Sequence, residues 1–184
     1  MRLFAAVPLP EPARSEVAGL LDRLRRHELP VRWVRDEGLH LTLKFFGEVP
    51  SERLEVIEEA IRQANEGSTP LPMRLDDLGA FPNPRRPRVL WVGLEAPPAL
   101  ELLQDRLERQ CEAIGFAPEG TPFRPHITLG RVREGERCTL RSVQEAGSPV
   151  EQVPFLATDL VLYASVPGGG RQRYEPRLTV ELGA

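Results

Sequence analysis

Two copies of one short motif, 86 residues apart, constrain this chain more than any bulk property does. They are His40-Leu41-Thr42-Leu43 and His126-Ile127-Thr128-Leu129. The same displacement carries Leu3 onto Val89, Pro12 onto Pro98, Ala13 onto Ala99, Val17 onto Leu103 and Leu21 onto Leu107. A strand start, the proline that opens a helix, that helix's apolar stripe and a histidine thus repeat in one register. A strand–helix–strand unit that occurs twice predicts two similar lobes related by a pseudo-twofold axis. The repeat spans about residues 2–49 and 88–135, inside a single two-lobed domain covering 1–184. Each lobe would carry its motif on a central strand, and the two motifs would face one another across a cleft.

The rest of the chain fits that plan. Arg2 to Val7 reads as a strand and Glu11 to about His27 as a helix with Val17, Leu20, Leu21 and Leu24 on one face. Arg32–Val34 and Leu39–Val49 read as strands. Ser51 reads as the N-cap of a helix that buries Leu54, Ile57, Ile61 and Ala64. Met73–Phe81 and Arg88–Leu94 are strands flanking a turn rich in proline and arginine, Pro82 to Pro87. A helix opening at Pro97 and Pro98 follows, then a strand from Phe123 to Val132 and a short helix within Cys138–Ala146. Val150–Phe155, Asp159–Val166 and Arg173–Leu182 are strands, the last two joined by a Gly168-Gly169-Gly170 loop. The fold class is therefore α+β: bilobal, mainly antiparallel sheets, with helices outside.

Composition narrows the function. Apolar residues make up 41% of the 184 and charged residues 28%, enough for a core and a solvated surface. No apolar run approaches the ~20 residues that span a bilayer. The apolar start is short, broken by Pro8 and Pro10, and lacks an A-x-A site, so it reads as a strand rather than an export signal, and the cytoplasm is the expected compartment. Cys111 and Cys138 form no paired framework and read as ordinary thiols. A net charge of −3 is unsuited to coating long nucleic acids, which takes many phosphate contacts, but permits a local positive patch gripping one end of a strand. Lys44 is the only lysine, so 23 of the 24 basic residues are arginine.

Alternation along a strand puts His40 and Thr42 on one face and Leu41 and Leu43 on the other, and the second motif does the same. Two imidazoles facing one phosphate suit general acid–base catalysis. With an ordinary pKa near ~6.5, one can be neutral and accept a proton while the other is protonated and donates one. The threonine hydroxyls can donate to non-bridging phosphate oxygens.

The stretches H-L-T-L-K-F-F-G (His40 to Gly47) and R-P-H-I-T-L-G-R (Arg124 to Arg131) resemble the 2H phosphoesterase superfamily. Within it, the chain is most similar to the bacterial and archaeal RNA 2′,3′-cyclic phosphodiesterases, also called 2′-5′ RNA ligases. The resemblance runs over nearly the whole chain, to the segment around Tyr174. It implies hydrolysis of 2′,3′-cyclic phosphate ends of RNA or nucleotides to 2′-phosphates, with reversible 2′-5′ ligation as an accompanying activity. It also implies no metal and no cofactor, His40 as proton donor and His126 as proton acceptor. A monomer without membrane attachment is expected.

The flanking residues add further expectations. Strand parity places Lys44 with His40 and Thr42, within reach of the phosphate or of the strand backbone, and Phe46 on the same face, where it either stacks a base or joins the core. Arg131 is a candidate phosphate ligand, but regular alternation turns it away from His126, so that role needs a bulge. Arg124 has the right parity; Tyr174 either flanks the site or packs; His27 reads as a surface residue. Two rivals remain. A zinc hydrolase needs about three protein ligands, and no H-E-x-x-H or C-x-x-C supplies them. A non-catalytic RNA-binding module would not need two proton carriers.

Overall fold

The computed structural model describes residues 1–168 and 171–183; Gly169 and Gly170 of the expected glycine loop lie outside them. Nine strands and four helices follow in the order β1 (Arg2–Pro8), α1 (Ala13–Arg25), β2 (Val31–Trp33), β3 (His40–Glu48), α2 (Leu54–Asn65), β4 (Leu71–Phe81), β5 (Val89–Glu95), α3 (Pro98–Ala113), β6 (His126–Val132), α4 (Leu140–Gly147), β7 (Pro154–Ala157), β8 (Asp159–Gly168) and β9 (Arg171–Glu181). They build two antiparallel sheets, one ordered β3-β1-β8-β9 and the other β2-β6-β5-β4-β7. The α+β class, two lobes and antiparallel sheets agree with the sequence reading.

Each lobe borrows from the other half of the chain. The C-terminal strands β8 and β9 complete the first sheet, and β2, from the N-terminal half, closes the edge of the second. β2 can lie so close because Gly130 faces it: a Cβ there would sit 2.7 Å from Val31 and 2.8 Å from Trp33. The expectation that both motifs occupy central strands needs correcting. β6 is flanked by β2 and β5, but β3 is an edge strand. Its free side is turned to the other lobe, where it comes within 8 Å of β6, Cα to Cα, without forming a ladder.

The helices bury the stripes that their periodicity predicts. Val17, Leu20, Leu21 and Leu24 of α1 are fully buried, as are Leu103, Leu107 and Cys111 of α3 within about a hundredth of their surface. Removing such side chains from water is worth ~1.5–3 kcal/mol each. Local ends differ from expectation. Ser51 opens a single 3₁₀ turn, Ser51–Arg53, and caps nothing through its side chain. The capped helix is α4, where the Thr139 hydroxyl accepts from the Ser142 N–H and Ser142 reaches back. The strand expected from Phe123 begins only at His126, because Pro122 and Pro125 interrupt the ladder. No helix among the described residues is long and apolar enough to cross a membrane.

Candidate active site

The two motifs share a backbone irregularity that strand parity could not reveal. In β3, Thr42 pairs with Ala6 and Lys44 with Ala5, so Leu43 is left over as a β-bulge. In β6, Thr128 pairs with Trp91 and Gly130 with Leu90, and Leu129 is left over in the same way. An extra residue reverses the alternation that follows it. Both motifs accordingly run half-buried His, buried aliphatic, half-buried Thr, two buried residues, then one exposed. The exposed residues are Phe45 in the first lobe and Arg131 in the second, 86 residues apart.

This explains where the flanking candidates go. Arg131 is brought to the face of His126 and Thr128, and its charge acts on the His126 imidazole. Lys44 is turned inward: it is 2% exposed, and its ammonium donates to Glu108 Oε2 at 2.8 Å and to the Ala117 carbonyl at 2.6 Å. The expectation that Lys44 meets the phosphate is therefore corrected; its charge is used to join β3 to α3 and the segment beyond it. Phe46 lies in the core, edge-on to Phe116 at 5.1 Å. The ring that the bulge leaves outside is Phe45, 56% exposed and 5.9 Å from Phe4. Phe45 was missed because it sits on the wrong parity for a regular strand. Its signal was the double phenylalanine, in which only one ring can be core.

Each imidazole is held from its own strand. His126 Nδ1 lies 2.7 Å from the Arg124 carbonyl, a contact that requires Nδ1–H and leaves Nε2 free. At His40 the Gly38 carbonyl likewise favours the protonated ring. In both lobes, then, the carbonyl two residues before the ring acts on its protonation. Aromatic side chains wall the rings. Phe4 stacks on His40 at 4.8 Å, Tyr174 meets it edge-on at 5.4 Å and Tyr163 lies at 6.1 Å. Phe81 stands edge-on to His126 at 5.0 Å, and Trp91 lies at 6.0 Å. Trp91 is pressed on Gly79, where any Cβ would collide with the indole, and its buried Nε1 finds no acceptor among the described residues. Tyr174 thus flanks the site. His27 lies outside it, exposed beside α1.

Burial dominates the electrostatics. It pulls His40 from 6.5 down to about 4, against the opposing effect of the Gly38 carbonyl. It also lowers His126, where the Arg124 carbonyl opposes the shift and the Arg124 and Arg131 charges add to it. Both rings are neutral near pH 7 before an anion arrives. No group of three His, Cys, Asp or Glu that could hold a metal occurs among the described residues.

The family model for LigT-like phosphoesterases matches twice, over residues 7–91 and 92–174. The chain is 40% identical over 133 residues to the RNA 2′,3′-cyclic phosphodiesterase of Methanothermobacter thermautotrophicus, 72% of each chain. It is 35% identical over 185 residues to the Escherichia coli protein of the same name, covering 95% of this chain and 93% of that one. Among solved structures, TT0787 of Thermus thermophilus superposes with a TM-score of 0.82 at 28% identity, over 99% of this chain and 98% of that one. E. coli LigT complexed with 3′-AMP superposes with a TM-score of 0.77 at 31% identity, over 100% and 98%.

Proposed function

This chain belongs to the LigT-like phosphoesterase family, and on that premise we propose that it hydrolyses RNA 2′,3′-cyclic phosphate ends to 2′-phosphates, using His40 and His126 as acid and base. The observation that carries the mechanism is the matched pair: two half-buried imidazoles, each followed two residues later by a half-buried threonine and then by the same bulge, on strands that lie against one another. Names of relatives support the substrate, since the Methanothermobacter and E. coli proteins are RNA 2′,3′-cyclic phosphodiesterases.

The steps follow from the free nitrogen on each ring. Neutral His126 takes a proton from water through Nε2 as the water oxygen attacks phosphorus. The P–O3′ bond breaks, and protonated His40 gives its proton to O3′, leaving a 3′-hydroxyl and a 2′-phosphate. The Thr42 and Thr128 hydroxyls donate to the non-bridging oxygens, and Arg131 balances the phosphate charge. A 5′-hydroxyl in place of water gives a 2′-5′ diester by the same transfers, which is reversible ligation. No step calls for a metal or cofactor. We read residues 1–184 as one two-lobed repeat domain acting as a monomer in the cytoplasm.

The test is an RNA oligonucleotide ending in 2′,3′-cyclic phosphate, incubated with and without chelator. A 2′-phosphate product in both conditions, abolished in His40→Ala and His126→Ala, is expected. A 3′-phosphate product would reverse the leaving oxygen, and loss with chelator restored by zinc would favour a metal hydrolase. A substrate with an activated leaving group orders the histidines: His40→Ala regains rate on it and His126→Ala does not.

A further inference from the structure

A groove of about 530 Å³ lies between the β4–β5 turn and the segment after β6. Arg85, Arg86, Arg88 and Arg137 line it, with Glu136 as the one acid in the lining. All four arginines are exposed, and none forms an ion pair among the described residues. In a chain with 27 acids and 24 bases, four unpaired guanidinium groups around one groove make a local positive field.

The groove wall is stiff. Pro82, Pro84 and Pro87 fix three backbone φ angles. Asn83 Oδ1 accepts from the N–H groups of Arg85 and Arg86 at 3.1 and 2.9 Å, and the Arg88 N–H closes the turn on the Phe81 carbonyl at 2.7 Å. The Leu140 N–H bonds the Pro84 carbonyl at 2.9 Å, which holds the start of α4 and the preceding Arg137 across from the turn. Charges on a pre-ordered frame lose little conformational freedom when a ligand docks.

The turn that lines the groove springs from the catalytic face. Phe81, the last residue of β4, stands against His126, and the Arg124 guanidinium lies 5.6 Å from the centre of its ring. The turn begins at the next residue, and five residues of chain from Phe81 to Arg86 can span at most about 18 Å.

We propose that this groove is a second subsite, which takes the phosphates of an RNA strand upstream of its cyclic end. The proposal rests on the functional reading above and deepens it: the substrate is a strand rather than a mononucleotide. A 2′,3′-cyclic phosphate closes the 3′ end of a strand, so every further phosphate lies on the 5′ side of the ribose held between the histidines. Guanidinium groups meet phosphate oxygens in two parallel hydrogen bonds without reading bases, so the groove contributes affinity and no sequence preference.

The test compares Arg85→Glu/Arg86→Glu with wild type on two substrates, a 2′,3′-cyclic mononucleotide and a short RNA oligonucleotide with the same end. Circular dichroism confirms the fold of the variant. Losing one or two charge-assisted contacts should lower kcat/KM on the oligonucleotide about 10–100-fold through KM and leave mononucleotide hydrolysis unchanged. Oligonucleotide binding, followed by fluorescence anisotropy, should lose about 0.7 from its log–log salt slope per contact removed. Unchanged oligonucleotide kinetics, or an equal loss on both substrates, overturns the groove. A wild type that cleaves neither substrate overturns the catalytic reading alone. Anisotropy then decides the groove, and equal binding by wild type and variant refutes it.

Discussion

A single negative charge placed between the two imidazoles should restore a proton to His40. In the free protein burial holds that ring at about 4, so at pH 7 only about one molecule in a thousand carries the acid that the reaction needs. An anion about 4 Å from an imidazolium, at an effective dielectric of about 20, contributes about 4 kcal/mol, or about three pKa units. Binding should therefore move His40 to about 7, where roughly half the molecules are armed. Sulfate is a suitable probe because it stays ionised across this range, and its second charge makes the shift worked for one charge a minimum. In a His126→Gln background, which leaves one imidazole in the site, NMR titration of the His40 ring with and without saturating sulfate reads the shift directly. Linkage demands the reciprocal effect: sulfate affinity should fall about tenfold per pH unit from 4 to 7. A free His40 that titrates near 6.5 would refute the burial argument. A ring that sulfate leaves unmoved would refute the placement of an anion against it.

Without ligand, the same ring should make the fold acid-sensitive. The unfolded chain binds this proton near 6.5 and the native protein only near 4, so stability falls as pH drops through that window, by at most about 3 kcal/mol; urea titrations should show the loss shrinking in His40→Gln. Lys44→Ala should cost about 3–5 kcal/mol by stranding Glu108 at 13% exposure, and Lys44→Met/Glu108→Leu should recover most of it in the same urea assay. Thr42→Ala and Thr128→Ala should each lower kcat about 10–10³-fold with little change in melting temperature; full activity in both would make these hydroxyls structural.

The helix stripes, the antiparallel sheets and the faces of His40, Thr42, His126 and Thr128 were legible because each depends on local periodicity. What lay beyond sequence reading was set by register. Skipping Leu43 and Leu129 moves Lys44 into the core and Arg131 out of it, and no propensity of those residues announces a bulge. The aromatic walls were equally hidden. Phe4, Tyr163 and Tyr174 come from β1, β8 and β9, and they meet at His40 only because the C-terminal hairpin joins the N-terminal sheet. The edge position of β3 follows from the same exchange of strands.

The placement of each ring on its own lobe has a mechanical consequence. His40 rides on β3 and His126 on β6, and no hydrogen bond joins the two rings among the described residues, so neither imidazole is positioned by the other. The gap between the reactive nitrogens is the opening of a caliper whose jaws are the two lobes. What sets it is the packing of β3 against β6, the seam where the two sheets meet. Side chains that never touch substrate can therefore widen or narrow the span by fractions of an ångström. A family built on this frame can be regauged for a differently shaped ester by trading contacts along that seam, with both motifs left intact.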